Sequence, residues 1–402
     1  MTAGVAVSPQ RTRILIALLI TFVMMTPIGV DIYLPSLPDM ARSLGYSTAA
    51  LQITVTLFLF TVGIGQVVVG PLSDRFGRRP VALGGLLAFV LGAGLGMFLE
   101  KLMLLYAARI LQGLGACATT VVAFAAVRDR FTPQRGAHLY SYLNGALCAI
   151  PALAPALGGV LATSLGWRSN FLFMVLFGLL VGGASLVGFP ETLARAQRSD
   201  EPLYQRARYA PMLHSLRFWW CALIALSGMS MVFVYVTSAP VVLVERLGYS
   251  QLGFSAWFGG NAALNVLSFL LAPGVIRRWG RLATVRLGVA IMVLSGVMQL
   301  MVDQWLLVSA LTFMAPVAVL TVGFSLALGA TVSLALEPFA DRAGTAAALI
   351  GLFQLSGGAA LSTLLVNSPL SPALAMAAVG LLLLAPLLIA TPQVARRCGL
   401  GR

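Results

Sequence analysis

Charge is scarce in this sequence: of its 402 residues only 9% are Asp, Glu, Lys or Arg, while 59% are hydrophobic. An ordinary soluble domain carries roughly 25% charged residues. So few charges cannot cover the surface of a soluble globule, which excludes a soluble enzyme and a disordered protein. The net charge of +14 is spread over short segments between apolar runs, whereas a nucleic-acid-binding domain gathers its basic residues on one face. We therefore expect no nucleic-acid partner.

Residues that hold metals or perform catalysis are also rare. The chain has four Cys and two His, and none of them stands at the spacing of a metal site. Its glycine-rich stretches lie inside apolar runs with no preceding strand, so they are not nucleotide-binding loops. We expect no enzyme activity, no metal and no ATP-driven step.

Long continuous apolar runs dominate the chain instead. In a lipid bilayer such runs must be helices, because the hydrocarbon offers no partner for an unpaired backbone group. The sequence predicts an all-α membrane protein of twelve transmembrane helices, and strands of a barrel are excluded because the runs do not alternate. The predicted spans are 14–38, 50–71, 80–99, 102–125, 139–162, 169–189, 218–243, 252–274, 283–302, 305–332, 344–366 and 373–391.

The distribution of basic residues predicts the orientation. If the N-terminus is cytoplasmic, segments on that side hold 21 Lys and Arg residues and segments on the other side hold four. Basic loops stay on the cytoplasmic side of the membrane. Both termini are therefore expected inside.

The longest polar segment, 190–217, divides the chain into two halves. We predict a six-helix bundle at 1–189, a cytoplasmic linker at 190–217 and a second six-helix bundle at 218–402. The loop at 70–79 and the loop at 273–282 lie 203 residues apart and share an aromatic residue, a glycine and arginines at matching positions. This match favours two parallel repeats, an arrangement found in one class of secondary transporters.

Four stretches of the first half resemble the major facilitator superfamily. Residues 70–79 are similar to its loop between the second and third helices, and residues 109–115 to its fourth-helix motif. Residues 151–159 are similar to the fifth-helix motif of its antiporters, with Ala154 at a usual glycine position. Residues 31–38 look like the first helix of the twelve-span drug:proton antiporters, specifically the bicyclomycin and chloramphenicol subgroup.

The resemblance implies a fold, a location and a function. It implies a monomer in the bacterial inner membrane that exports small amphipathic drugs, such as a chloramphenicol-like compound, in exchange for protons by alternating access. The expected partners are the drug, protons and the lipid bilayer, and the proton gradient takes the place of a cofactor. Two alternatives stay open: a proton-coupled exporter of an endogenous metabolite, such as an amino-acid or sugar derivative, and a passive facilitator.

Two charged residues lie deep in the predicted spans, Asp31 in the first and Arg109 in the fourth. Each stands about seven residues from the outer end of its span, which places both ~10 Å deep. Charges at this depth are costly and indicate a functional site. We expect the two side chains to face one polar cavity and to interact. The structural alternative is an ion pair that only fastens the two helices.

A proton-carrying role for Asp31 follows from its expected surroundings. Burial disfavours a carboxylate and a nearby guanidinium favours it, whereas arginine keeps its proton throughout. Asp31 is predicted to take a proton from outside and to lose it when a drug binds from inside, with Arg109 as its tuning partner. The second half has no counterpart, because the positions 203 residues later are Val234 and Thr312.

Spans 1, 4, 7 and 10, with help from 2, 5, 8 and 11, are expected to line the substrate cavity. Met and aromatic side chains suit a pocket that adapts to varied ligands, although each candidate alone is more often a packing residue. The candidates are Tyr33, Phe58, Gln112, Tyr142, Asn144, Met231, Tyr235, Asn261, Asn265 and Gln354. For Asn144 and Asn265 a bond between helices is the alternative role.

The loop at 70–79 is predicted to form a cytoplasmic latch. The resemblance places Asp74 near the start of span 11, around Gly344, where the helix dipole would hold a carboxylate. Arg75 and Arg128 are its expected partners, and a plain orientation anchor is the alternative. The latch residues are Gly70, Asp74, Arg75, Gly77, Arg78 and Arg128.

Span 5 carries the antiporter-like residues Pro151, Pro155, Gly158 and Gly159. Proline bends a helix and glycine allows close approach of a neighbour. We predict a flexing interface near span 8 that seals the cavity against proton leak.

Overall fold

A computed structural model of the protein describes residues 9–98, 100–195, 198, 206–305 and 307–398. Within these residues twelve helices are long and apolar enough to cross a membrane, and no strand occurs. We call them spans 1 to 12. In the first half they are span 1 (Pro9–Asp31, then Leu34–Ser36 and Leu37–Leu44), span 2 (Thr48–Phe76), span 3 (Arg78–Phe98), span 4 (Leu102–Arg130), span 5 (Pro133–Leu165) and span 6 (Arg168–Gly188).

The second six spans contain several interruptions of the α-helix. They are span 7 (Leu216–Pro240, Val241–Arg246), span 8 (Gln251–Trp279), span 9 (Arg281–Trp305), span 10 (Ala310–Leu336, Glu337–Arg342), span 11 (Ala343–Gly351, Leu352–Gly357, Gly358–Val366) and span 12 (Pro372–Ala378, Val379–Leu384, Ala385–Cys398). Three of the interruptions, at Val241–Arg246, Leu352–Gly357 and Val379–Leu384, are π-helical turns.

Every predicted span corresponds to one of these helices, but span 1 is not the continuous helix predicted over 14–38. Its α-helix ends at Asp31, and a short 3₁₀ turn, Leu34–Ser36, leads into the helix Leu37–Leu44. The cause is Pro35, which has no N–H to bond the Asp31 carbonyl four residues earlier and whose ring crowds that carbonyl. Asp31 therefore stands at a helix break.

Spans 1 to 6 pack mainly on one another, as do spans 7 to 12. The two main seams between the halves are span 5 against span 8 and span 2 against span 11, chiefly its π-helical part, and the break of span 1 makes smaller contacts with spans 7 and 8. The predicted linker at 190–217 contains a short helix, Arg206–Leu213, and lies partly outside the described residues.

The two halves share a turn at the same place. The sequence Leu-Gly-Tyr-Ser occurs at 44–47 and again at 247–250, 203 residues later. Both glycines adopt left-handed backbone angles, with φ of 72° at Gly45 and 71° at Gly248. Ser47 and Ser250 then cap spans 2 and 8 through their side-chain oxygens. We call this end of the molecule the turn end, and the end with the arginine-rich loops 75–79 and 277–281 the basic end.

A second shared feature is a pair of facing glycines. A Cβ on Gly115 of span 4 would lie 2.4 Å from the Gly85 carbonyl oxygen of span 3, and a Cβ on Gly323 of span 10 would lie 2.7 Å from that of Gly288 of span 9. The backbones of spans 3 and 4, and of spans 9 and 10, are thus in direct contact. Gly85 and Gly288 are again 203 residues apart.

Candidate functional site

Asp31 is a buried carboxyl group without a partner. Its side chain is only 6% exposed, and no hydrogen bond or ion pair joins it to any described residue. It stands at the helix break, where the last carbonyls of the first helix lack partners within that helix. A buried carboxyl without a counter-ion is costly to ionise and is therefore suited to hold a proton.

Arg109 of span 4 is completely buried and bound by its neighbours on several sides. Its Nη2 donates to the Gly29 carbonyl at 2.6 Å, its Nε donates to the Thr54 carbonyl at 3.4 Å, and its Nη1 donates to the Gln112 side chain. The rings of Tyr33 and Phe58 also lie 4.7 and 4.5 Å from the guanidinium carbon.

These contacts show how the positive charge is stabilised. Gly29 lies in the last turn of the first helix, where the carbonyls carry the negative end of the helix dipole. The two aromatic faces add cation–π attraction, which is strongest when the cation is desolvated.

The expected direct contact between Asp31 and Arg109 is not formed. No ion pair within 4.0 Å joins them among the described residues, and Arg109 uses the backbone two residues before Asp31 instead. The structural alternative, an ion pair that fastens spans 1 and 4, is absent for the same reason. The proton-carrying and tuning roles of the two residues stay predictions.

Tyr235 of span 7 approaches Asp31 from the second half of the molecule. Its side chain is 4% exposed and its ring stacks on Phe258, with centroids 5.5 Å apart. The hydroxyl makes no hydrogen bond of normal geometry, although Asp31 and Asn261 both lie close enough to interact with it electrostatically. The 3₁₀ turn after Asp31 contacts spans 7 and 8, so Asp31 lies close to the boundary between the two halves.

The other cavity candidates divide into three groups. Tyr33, Phe58 and Gln112 surround Arg109, and the Tyr33 hydroxyl bonds Thr54 at 3.0 Å. Asn261 and Asn265 of span 8 accept hydrogen bonds from Thr321 and Ser325 of span 10 at 3.0 and 2.7 Å, which is the bond between helices considered for Asn265. The remaining four are Met231, fully buried in span 7; Tyr142 and Asn144, exposed on span 5; and Gln354, in the π-helical turn of span 11.

The proline–glycine stretch of span 5 packs against both span 8 and span 1. The Ser255 hydroxyl of span 8 donates to the Pro155 carbonyl at 2.8 Å, and a Cβ on Gly159 would lie 3.3 Å from the same hydroxyl oxygen. A Cβ on Gly158 would lie 1.6 Å from the Ile32 carbonyl oxygen. Only glycine allows this approach, which brings span 5 directly onto the helix break beside Asp31. Pro151 lies one turn earlier in the same helix.

The loop at 70–79 does not make the contacts expected of Asp74. Its carboxylate pairs with Arg78 at 2.7 Å, not with Arg75 or Arg128. Arg78 is 2% exposed and also bonds Asp129 of span 4 at 2.8 Å and the Ser73 hydroxyl at 2.6 Å.

The local geometry accounts for the partner of Asp74. Asp74 and Arg78 are four residues apart on either side of the turn at Gly77, which has a φ of 102°. They meet locally, so the cluster joins spans 2, 3 and 4 within the first half. The latch residue that reaches span 11 is Arg128, whose Nη1 lies 3.9 Å from a Cβ built on Gly344. Arg75 is exposed, and nothing lies within 4 Å of a Cβ on Gly70.

Sequence reasoning missed Glu191, which follows span 6. Its carboxylate accepts the backbone N–H groups of Arg78 at 2.9 Å, Arg79 at 3.3 Å and Leu193 at 3.0 Å. It therefore caps the start of span 3, where the helix dipole favours an anion. A Cβ on Gly77 would lie 2.4 Å from this carboxylate. The sequence offered one signal: Glu191 is an acid that comes directly after span 6, at the basic end.

Hydrogen bonds between the halves close the turn end. The Thr48 hydroxyl donates to Glu245 and the Gln251 amide donates to Asp39, each at 2.5 Å. The Gln52 amide donates to the Thr237 carbonyl at 2.6 Å. The donors Thr48 and Gln251 are 203 residues apart and so occupy equivalent positions of the repeat, whereas the acceptors Asp39 and Glu245 do not. The structure is therefore closed at its turn end.

Within the described residues no group of three or more His, Cys, Asp or Glu side chains could hold a metal ion.

Comparison with known proteins agrees with this architecture. The family model of the Major Facilitator Superfamily matches residues 17–363. A chloramphenicol resistance protein of Pseudomonas aeruginosa is 35% identical over 336 residues, covering 83% of this chain and 79% of that protein. The multidrug resistance protein MdtL of Shewanella sp. strain ANA-3 is 30% identical over 380 residues, covering 92% and 94%.

Solved structures share the fold at low sequence identity. A D-xylose–proton symporter has a TM-score of 0.72 at 16% identity and covers 94% of this chain and 96% of its own. The human organic anion transporter MFSD10 has a TM-score of 0.64 at 17% identity and covers 96% and 100%.

Proposed function

Because the chain belongs to the major facilitator superfamily, a family of multi-pass membrane transporters, we propose that it exports small amphipathic drugs in exchange for protons. Relatives that share most of its length carry the names chloramphenicol resistance protein and multidrug resistance protein. These names support a drug substrate of chloramphenicol-like chemistry, carried out of the cytoplasm of a bacterium. The protein would act as a monomer in the inner membrane, and the distribution of arginines supports an orientation with the basic end facing the cytoplasm.

The observation that carries the proposal is the buried carboxyl of Asp31, which has no partner among the described residues, two residues after the Gly29 carbonyl that binds the Arg109 guanidinium. Arg109 does not need Asp31 for its own neutralisation, so the carboxyl is free to gain and lose a proton. Its position at the helix break, where the turn Leu34–Ser36 contacts spans 7 and 8 of the other half, supports a proton site close to the boundary between the halves.

The cycle follows from alternating access. When the turn end is open, Asp31 takes a proton from outside. When the basic end is open, a drug enters from the cytoplasm and the proton leaves, with the positive potential of Arg109 favouring the ionised carboxyl. Drug and proton exclude each other, so one crosses as the other returns.

The proton gradient is sufficient for this exchange. A proton-motive force of about 150 mV supplies ~3.5 kcal/mol per proton, at ~2.3 kcal/mol per charge per 100 mV. At about 1.4 kcal/mol per factor of ten, that sustains a drug gradient of several hundredfold. One proton per drug is therefore enough for resistance.

Asp31→Asn tests the coupling directly. In proteoliposomes with an imposed pH gradient, we expect the variant to lose chloramphenicol accumulation entirely while downhill chloramphenicol exchange continues, because the amide cannot carry a proton. The control is Glu100→Gln, an exposed acid that pairs only with Arg168, and it should accumulate drug normally. Undiminished accumulation in Asp31→Asn would remove Asp31 as the proton carrier.

A ligand panel separates the remaining alternatives. Neutral phenicols, lipophilic cations and amino acids are offered under separately imposed pH gradient and voltage. Accumulation of an amino acid alone indicates the metabolite exporter. Movement that ignores both gradients indicates the passive facilitator.

A further inference from the structure

A polar cavity lies at the basic end, away from Asp31 and Arg109. It encloses about 480 Å³ between the start of span 3, the end of span 4 and the segment after span 6. Its lining residues are Arg79, Pro80, Arg130, Glu191, Thr192, Leu193, Ala194, Arg195 and Arg198. Because it lies where three spans end, it is at the level of the membrane surface.

The cavity has far more positive than negative charge. It is lined by four arginines and one glutamate, a net charge of +3. Glu191 already accepts three backbone N–H groups as the cap of span 3, and Arg198 reaches it only at 3.5 Å. The glutamate therefore neutralises the arginines weakly.

The arginines also have N–H donors that make no hydrogen bond to a described residue. Arg79 and Arg130 each use one nitrogen on a backbone carbonyl, those of Leu186 and Glu191. The Nε of Arg198 is buried without a partner among the described residues. Arg195 is exposed, and only its backbone carbonyl bonds a described residue, accepting from the Arg198 N–H at 3.3 Å.

The ion pairs of the second half match a different cluster of the first half. Glu337 at the end of span 10 pairs with Arg281 at 2.7 Å and also with Arg217. Arg281 lies 203 residues after Arg78, which pairs with Asp129 at the end of span 4. The four arginines around Glu191 are therefore separate from the ion pairs that the two halves share.

We propose that this cavity binds a phosphate group at the membrane surface. Several guanidinium groups around one space match the charge and the paired oxygens of a phosphate. Such a group is supplied either by the headgroup of an anionic phospholipid, as basic pockets between membrane helices do bind, or by a free phosphate in solution. Neutral headgroups lack the net negative charge that the arginines require.

The test compares lipid binding and thermal unfolding in nanodiscs. Wild-type protein is placed in phosphatidylcholine nanodiscs, in nanodiscs that also contain phosphatidylglycerol, and in phosphatidylcholine nanodiscs with inorganic phosphate in solution. Retained lipid is counted by native mass spectrometry. A rise in unfolding temperature with phosphatidylglycerol alone identifies the headgroup, and an equal rise with inorganic phosphate alone identifies a free-phosphate site. No rise and no retained lipid in either arm overturns the proposal.

Variants locate the site. Arg130→Gln with Arg195→Gln should weaken binding of the identified ligand at least about tenfold, because two charge-assisted contacts are lost. The control is Arg277→Gln with Arg278→Gln, which removes equal charge from an exposed basic-end loop of the second half. Equal weakening in both pairs would mean general attraction to the surface and overturn the site. Arg195→Gln alone leaves every described bond in place, so it also tests the site if the double variant folds poorly.

Discussion

Arg109 illustrates how a charge survives inside a membrane without a counter-ion. The first helix ends at Asp31 and leaves carbonyls without partners in its last turn, and one of them, at Gly29, accepts from the guanidinium. The pairing satisfies both groups, because a cation near a helix C-terminus is stabilised by the helix dipole. The fork of five donors lets one side chain bond spans 1, 2 and 4 together.

Arg109→Lys should therefore fail to replace arginine. A single ammonium cannot reach the Gly29 and Thr54 carbonyls and the Gln112 side chain at once. Losing two charge-assisted hydrogen bonds costs about 3 kcal/mol or more of stability. We expect a lower thermal unfolding temperature and strongly reduced drug uptake. Arg168→Lys, at an exposed pair with Glu100, serves as the control, and equal unfolding temperatures for the two variants would contradict the assigned bonds.

At this scale the sequence shows which residues matter but not what they touch. Asp31 and Arg109 stand out because each is a lone charge in an apolar run. Their contact could not be predicted, because a backbone carbonyl leaves no mark in the sequence. The helix break did leave a mark in the sequence: Pro35, four residues after Asp31, removes the backbone hydrogen bond that would continue the helix.

Span 5 is the element that connects the seam between the halves with the helix break at Asp31. It contacts span 8 through the Pro155 carbonyl and span 1 through Gly158. Proline and glycine in one helix predict bending and close approach of a neighbour, but they do not show which span that neighbour is. The contact of Gly158 with Ile32 could not be predicted either, because it depends on the exact register of two helices.

Gly158→Ala should disrupt the contact between spans 5 and 1. The added methyl group meets a backbone carbonyl, which cannot rotate away, so span 5 must move; overpacking of this kind costs about 1–3 kcal/mol. We expect a lower unfolding temperature and proton leak through liposomes without drug. Gly145→Ala is the matched control, since nothing lies within 4 Å of a Cβ at that position of the same helix. A Gly158→Ala protein with an unchanged unfolding temperature and no proton leak would refute the contact.

For the whole molecule, the internal repeat explains how one end closes. Thr48 and Gln251 begin spans 2 and 8, and each donates to an acid at the end of the other half's first span. The sequence predicted the repeat from two basic loops, and the four identical residues at 44–47 and 247–250 strengthen it. The partner of Asp74 was predicted wrongly because a four-residue separation across a turn favours a local ion pair over a distant helix.

Thr48→Ala with Gln251→Ala should shift the protein towards a state open at its turn end. Each hydrogen bond contributes about 0.5–1.5 kcal/mol, so the ratio of open to closed protein should rise roughly fivefold to a hundredfold. Spin labels at the exposed positions Ala49 and Leu252 report this as a longer distance by pulsed electron resonance. Ser309→Ala, at the cap of span 10 within one half, should leave the distance unchanged. An unchanged distance in the double variant would mean that these bonds do not hold the end shut.

Two contacts hold the helix break at Asp31. The Arg109 guanidinium binds the Gly29 carbonyl before it, and the backbone of Gly158 packs against Ile32 after it. Movement of span 5 must therefore either shift Asp31 as well or break the contact between Gly158 and Ile32. Motion at the seam between spans 5 and 8 is therefore mechanically coupled to the surroundings of the Asp31 carboxyl.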